Sequence, residues 1–317
     1  MQIVVLAGGI GGARFLQGVR ALARGRGAEV TAIVNVGDDV TLHGLRICPD
    51  LDSVMYTLGG GADPERGWGR SGETWAVKEE LARYGAEPAW FGLGDRDLAT
   101  HLVRTTMLNA GHPLSAVTEA LCNRWQPGVR ILPASDDPVE THVVVSSEDG
   151  APALHFQEWW IRHRASLPAR RFVFVGAEQA KPAAGVLDAL AAADVVLLAP
   201  SNPVVSIAPI LAVPGLRDAL TGGPAPVVGV SPVIGGSPVR GMADKCLAAV
   251  GVECSAAGVG AFYGARPAGG ILDGWLVDVA DAGTRVDGVP VRETPLWMTD
   301  EAATVAMVAA ALEVAHA

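Results

Sequence analysis

Gln2-Ile-Val-Val-Leu-Ala-Gly-Gly-Ile-Gly-Gly-Ala-Arg14 begins as a continuous apolar run and ends in glycines. Behind it, Phe15, Leu16, Val19 and Leu22 recur at helical spacing. The stretch reads as a buried strand feeding a helix. A second short apolar run, 30–34, ends at Asn35-Val-Gly-Asp-Asp39, and the distance between the two runs suits a βαβ crossover. Further apolar runs at 89–93, 172–175, 195–199 and 227–230 alternate with helical stretches such as 73–84 and 183–193. The alternation predicts an α/β chain with a Rossmann-like, doubly wound and mostly parallel sheet. Between 133 and 171 the pattern changes to period two, in Thr141-His-Val-Val-Val-Ser146 and Ala153-Leu-His-Phe-Gln157, with a turn at Asp149-Gly150. We read this as a small antiparallel β-hairpin insertion (133–171) within a single α/β domain spanning 1–317.

With 317 residues, the chain is long enough for one large domain or two modest ones at about 150 residues each. Lys and Arg (24) against Asp and Glu (34) leave a net charge of -10, a long-range field that repels nucleic acid and anionic lipid. Any phosphate site is therefore local. Half the residues are apolar, but charges, Gly and Pro interrupt every run before the ~18 residues that a membrane span needs. The N-terminus has no basic region before its apolar run, unlike a secretory signal, so a cytoplasmic protein is expected. Cys48, Cys122, Cys246 and Cys254 form no C-x-x-C pair, which argues against structural zinc and against a disulfide framework.

Glycines in Gly8-Gly-Ile-Gly-Gly12 let backbone approach a diphosphate, and the helix behind offers unpaired N–H groups of partial positive charge. Gly9, Gly11 and Gly12 are the candidate cradle. A tight turn without ligand is the plainer alternative. A dinucleotide fingerprint needs a third glycine where Arg14 stands and an acidic residue where Asn35 stands, so nicotinamide use is disfavoured. A P-loop is excluded by the absence of Gly-Lys-Ser/Thr after the turn. Arg14 either contacts phosphate or is a solvated helical arginine. Asp38, Asp39, Asp50 and Asp52, in Asn35-Val-Gly-Asp-Asp39 and Cys48-Pro-Asp-Leu-Asp52, repel an anion unless a divalent cation bridges them, which points to magnesium. For Asp50 or Asp52 alone a helix cap is an equal reading. In Phe91-Gly-Leu-Gly-Asp-Arg-Asp-Leu-Ala-Thr-His101, Gly92 and Gly94 before Asp95 give room for a flat ligand against the backbone. Asp97 can instead be a helix cap, with His101 and Arg104 exposed. Pro200-Ser-Asn-Pro203 offers Ser201 and Asn202, and Ser231-Pro-Val-Ile-Gly-Gly236 offers Ser231, at the same sheet edge.

Together with Leu132-Pro-Ala-Ser-Asp-Asp-Pro138, Phe156-Gln-Glu-Trp-Trp160 and Pro200-Ser-Asn-Pro-Val-Val-Ser-Ile207, these motifs closely resemble the 2-phospho-L-lactate transferase family of coenzyme F420 biosynthesis. The segment 61–75, with Trp68 and Trp75, resembles its actinobacterial phosphoenolpyruvate transferase branch. The resemblance implies transfer of a phosphoenolpyruvyl group from enolpyruvyl-diphospho-5'-guanosine to the ribityl hydroxyl of the deazaflavin Fo, giving dehydro coenzyme F420-0 and GMP. It implies Mg2+ on Asp38 and Asp50, catalytic roles for Asp50 and Asp52, small-molecule partners only, and a homodimer. Relatives that use a phospholactate donor share these motifs, and no motif separates the two donors on physical grounds. A non-catalytic nucleotide-sugar sensor would need the glycine turn but neither Pro49-Asp-Leu-Asp52 nor Gly94-Asp-Arg-Asp97. A nucleotidyltransferase making the donor would release pyrophosphate.

Overall fold

Gln2–Ala7 is a strand buried from Ile3 onward, as the unbroken apolar run requires of a strand covered on both faces. It is an interior strand, next to the central one, of a seven-stranded sheet in the order Val291–Glu293, Gly274–Val277, Val227–Val230, Val195–Leu198, Gln2–Ala7, Glu29–Val34, Arg130–Pro133. All six pairings are parallel. The computed structural model describes residues 1–146 and 152–316. Helix α1 (Gly9–Arg26) crosses from the first strand to Glu29–Val34 and ends at Gly27 in the left-handed region, with Arg24 and Arg26 in its last turn. The chain then builds the sheet outward on that side and later returns to lay Val195–Leu198 on the other flank of Gln2–Ala7. The order reverses between these two strands, and open α/β sheets bind ligands in the crevice at that point.

Helix α2 (Pro49–Leu58) starts on a proline at its first turn. Helices α3 (Ala76–Arg83), α4 (Asp95–Asn109) and α5 (Leu114–Trp125) follow. Two of the expected parallel strands are different objects. Residues 89–93 form no strand. Pro88 and the glycines around Leu93 cannot sustain a ladder, and Phe91 and Leu93 pack with Val40, Leu42 and Ile47 in a satellite cluster apart from the main core. Residues 172–175 belong to Ala169–Val175, which pairs antiparallel with Glu140–Val145. None of its residues is fully buried, so one face meets solvent, as only an antiparallel sheet tolerates. Ala153–His155 completes this three-stranded sheet, while the expected turn at Asp149-Gly150 lies outside the described residues. The helices predicted at 73–84 and 183–193 are shorter, Ala76–Arg83 and Val186–Ala191. Ser231-Pro-Val-Ile-Gly-Gly236 folds as a tight hairpin in which Gly235 and Gly236 take φ of 57° and 76°, the left-handed pair that a two-residue turn demands.

Val143, Val145, Phe156 and Trp159 share the main hydrophobic cluster with the central sheet. Among the described residues no single helix is long and apolar enough to cross a membrane. The C-terminal helix Glu301–Ala315 starts at Asp300, whose side chain accepts from Ala303 N–H, and it packs on α1. The contact is so close that a Cβ on Gly18 would lie 2.5 Å from Thr304 Cγ2 and 2.9 Å from its backbone carbon. Gly18→Ala is accordingly expected to destabilise the protein by about 1–3 kcal/mol despite the better helix propensity of alanine. Thermal and urea melts check this, and unchanged or raised stability would show that the two helices separate freely.

Candidate functional site

The glycine turn sits at the switch point and is stapled to the opposite flank. Ser201 Oγ accepts from Gly8 N–H at 3.1 Å and donates to Gly8 C=O at 2.8 Å. A Cβ on Gly11 would lie 2.9 Å from the Pro200 carbonyl oxygen, and one on Gly12 would lie 2.8 Å from Ser201 Oγ. These two glycines are demanded by the close packing of the 200–202 loop. Gly9 is different: its φ of 62° needs glycine, while the nearest atom to a Cβ there is Asp50 Oδ1 at 3.8 Å. The first turn of α1 holds no acidic side chain of its own and no side-chain cap, and the Asp50 carboxylate from α2 takes the Gly9 N–H, so an anion would meet the N–H groups beyond Gly9. Arg14 is exposed on that turn. Arg240, whose guanidinium reaches Gly67, has its pKa lowered by partial burial and by the charge of Arg14.

Asn35 ends the second strand fully buried. Its Nδ2 donates to Asp50 Oδ2 at 2.9 Å, to Val205 C=O at 3.1 Å and to Asp38 Oδ1 at 3.2 Å, while its Oδ1 accepts from Gly37 N–H at 2.8 Å. Asp38 Oδ2 accepts from Gln157 Nε2 at 3.4 Å. Asp38 and Asp50, predicted separately, are thus brought to one amide beside Gly9. Neither forms an ion pair with a basic side chain among the described residues. Burial, then the charge of Asp50, pushes the Asp38 carboxyl well above its usual range, and burial pushes Asp50 up to about 6. Asp39 is also buried, bonds to Arg46 at 3.1 Å, and is pushed by burial up to about 7 against the pull of that arginine.

Asp52 faces another set of partners. Arg104 Nη2 donates to its Oδ1, and His101 Nδ1 lies 3.7 Å from its Oδ2. His101 and Arg104 are each 1% exposed, a correction to the exposed helical positions expected of them. Asp97 accepts from Tyr56 OH at 2.6 Å and approaches His101 Nε2 at 3.3 Å, so it does more than cap a helix. The remaining candidates have local partners. Asp95 accepts from Thr74 Oγ1 and from Ala76 and Val77 N–H, holding the start of α3. A Cβ on Gly94 would lie 2.0 Å from Glu73 Cγ, and one on Gly92 would lie 3.4 Å from the Trp75 ring, so Glu73 and Trp75 cover that backbone. Asn202 Oδ1 accepts from Val204 and Val205 N–H. Ser231 Oγ bonds to Val233 at both its N–H and C=O.

Sequence reasoning took Asn35 only as a missing acidic residue, and it gave Gln157 and Arg46 no role. The signal for Asn35 was its place after a strand's C-terminal end, and that for Gln157 was its presence in the Phe156-Gln-Glu-Trp-Trp160 motif; Arg46 had none, since it reaches Asp39 from a short hairpin strand.

A parallel α/β sheet with a glycine turn, a helix N-terminus and paired carboxylates at its switch point is the arrangement of a ligand-binding α/β protein. Residues 3–297 match the family described as 2-phospho-L-lactate transferase CofD. The chain is 64% identical over 317 residues to a phosphoenolpyruvate transferase of Nocardia farcinica, covering 99% of this chain and 95% of that protein. It is 60% identical to one of Mycolicibacterium smegmatis, covering 99% of each chain, and 62% identical to one of Streptomyces griseus, covering 100% of this chain and 99% of that protein. A solved UPF0052-family structure from Bacillus halodurans shares the fold, with TM-score 0.62 and 20% identity over 98% of this chain and 99% of that one. The chain belongs to the 2-phospho-L-lactate transferase CofD family.

Two outcomes follow from this geometry. Gly11→Val would push against the Pro200 carbonyl, so calorimetry should show donor-nucleotide affinity falling at least about tenfold with Fo affinity largely kept. Equal loss of both would mean the variant unfolds the whole site. The folded metal-free protein keeps protons on Asp50 and Asp39 to about 6 and about 7, whereas an unfolded carboxyl releases its proton at about 4. The native state then binds the extra protons, so stability is greatest at the acid end of this window and falls as pH rises from about 4 to about 7. In chelator, Asp50→Asn should flatten that slope and melt above wild type at about pH 7, as thermal melts across the range would report.

Proposed function

We propose that this protein transfers the phosphoenolpyruvyl group of enolpyruvyl-diphospho-5'-guanosine to the ribityl hydroxyl of Fo, giving dehydro coenzyme F420-0 and GMP. The observation that carries the reading is the buried Asp38–Asn35–Asp50 arrangement against Gly9 at the N-terminus of α1. A site built only to cradle phosphate, as in a sensor, gains nothing from two carboxylates there. Relatives at about the 60% level that carry the name phosphoenolpyruvate transferase favour that donor acid over phospholactate. The same reading has the enzyme acting in the cytoplasm as a homodimer, a state that sedimentation of the purified protein reports.

Asp38 and Asp50 are hard oxygen donors, buried, adjacent and without a basic partner among the described residues, and this donor set fits Mg2+. When bound, the cation supplies positive charge against the diphosphate oxygens. The protein's own groups do the rest. The N–H groups of the first turn of α1 and the Arg14 guanidinium hold the diphosphate. The hydroxyl oxygen of Fo attacks the phosphorus that bears the enolpyruvyl group. A new O–P bond forms, the bond from that phosphorus to the bridging oxygen breaks, and GMP leaves with the electron pair. The hydroxyl proton passes to Asp52 Oδ2, which is buried and has no hydrogen-bond partner among the described residues.

Mass spectrometry of the products formed with Fo, Mg2+ and each activated donor tests the proposal: GMP and the modified Fo should appear one to one, without pyrophosphate. Chelation should abolish turnover, and GMP release without modified Fo would overturn the reading. Asp50→Asn and Asp52→Asn should each lower turnover ~100-fold or more with the circular dichroism unchanged. Near wild-type turnover in either variant at saturating Mg2+ would reduce that residue to a helix-start aspartate.

A further inference from the structure

Helix α4 brings to Asp52 side chains that the transfer chemistry does not itself consume. Arg104 is a donor only. Its Nη2 donates to Asp52 Oδ1, and its Nη1 lies 3.0 Å from His101 Nδ1. Because arginine cannot accept, Nδ1 carries the lone pair and the ring proton sits on Nε2. That nitrogen lies 3.3 Å from Asp97 Oδ2, outside hydrogen-bond geometry, so the contact acts through charge, and Asp97 Oδ1 accepts from the Tyr56 hydroxyl. The hydrogen bonds on the two sides of the ring, Arg104 to Asp52 and to His101, and Tyr56 to Asp97, each run in one direction. Asp52 Oδ2 is left over: its neighbour His101 Nδ1, 3.7 Å away, has no proton to give, and the oxygen is buried without a hydrogen-bond partner among the described residues.

We infer that Asp97, His101 and Arg104 are positioning residues, a one-way chain that fixes the Asp52 carboxylate with Oδ1 held by Arg104 and Oδ2 kept free for the attacking hydroxyl. The inference rests on the transfer reading above. Arg104 keeps Nδ1 an acceptor, and the charge of the Asp97 carboxylate, itself held by Tyr56, favours the proton on Nε2. Arg104, forked between His101 and Asp52, then has one orientation, and so has the carboxylate it holds.

Ligand atoms of Asp52, Asp97 and His101 also lie within 4.8 Å of one another, a spacing that would suit a metal ion. The guanidinium on Asp52 speaks against it, because a cation there would sit beside a fixed positive charge and find one carboxylate oxygen already engaged. The two readings separate experimentally.

Nitrogen-15 imidazole spectra of the wild-type protein should show His101 as the Nε2–H tautomer, and Asp97→Asn should mix the tautomers. His101→Gln and Asp97→Asn should lower kcat about tenfold or more with KM for donor and Fo within about twofold, the pattern of a group felt only in the transition state. Arg104→Ala should lose more than Arg104→Lys, which keeps the charge but not the fork. Calorimetric Mg2+ affinity of His101→Gln should equal that of wild type. An Nδ1–H tautomer in the wild type, unchanged kcat in folded His101→Gln and Asp97→Asn, or lost Mg2+ binding in His101→Gln would each overturn the chain. Absence of modified Fo from the wild type with every donor overturns the transfer reading instead, and the tautomer and calorimetric results still decide whether the chain holds Asp52 as described.

Discussion

Asp38 and Asp50 meet at the amide nitrogen of Asn35, in the interior and with no arginine or lysine paired to either among the described residues. Two like charges in a medium of low dielectric constant repel strongly, and neutral donors, the Asn35 and Gln157 amides and the Gly9 N–H, do not cancel that repulsion as a cation would. Either the pair keeps protons or a cation joins them, and much of the surrounding structure serves to hold the pair in place. Gly8 lacks a side chain because Asp50 Oδ2 and Ser206 occupy the position of a Cβ. Ser201 ties the glycine turn to the strand across the switch point. Gln157 reaches Asp38 from beyond the antiparallel sheet, which gives that insertion a part in the site.

Asp50 and Asp52 stand two residues apart on α2, about 200° around the helix. They therefore face opposite flanks, Asp50 toward Asn35 and the glycine turn, Asp52 toward α4. Side chains lean toward a helix N-terminus, and both residues are in the first turn of α2, so each still addresses the same end of the crevice. The spacing lets one helix present a carboxylate without a basic partner and a carboxylate neutralised by Arg104, and the second never competes with the first for a cation.

The central sheet was legible because continuous apolar runs ending in glycine or asparagine admit few other readings. Residues 89–93 failed because a short apolar run fits a satellite cluster as well as a strand. Residues 172–175 failed because apolar content alone does not tell a parallel partner from an antiparallel one. The acidic pair and the glycine turn were legible as types at a sheet edge. The chain on α4 was not, since that helix inverts the usual pattern. Leu102 and Val103 are 54% and 48% exposed while Thr100, His101 and Arg104 are buried. A reading by hydrophobic periodicity turns such a helix the wrong way round. Only the partner, Asp52, makes burial of Arg104 tolerable, and pairing across 52 positions leaves no local trace.

The net charge of -10 sets the terms on which an anionic donor reaches this edge. Long-range attraction is not available, so recognition falls to short-range fields: the N-terminus of α1, the exposed Arg14 and the acidic pair. Asp38 and Asp50 give the sharpest of these local fields: two buried carboxylates with no basic partner among the described residues repel each other, and protonation or a cation relieves that repulsion. The selectivity of such an edge comes from combination, since a helix N-terminus alone welcomes any anion and a carboxylate pair alone repels one, and only a ligand that satisfies both fits.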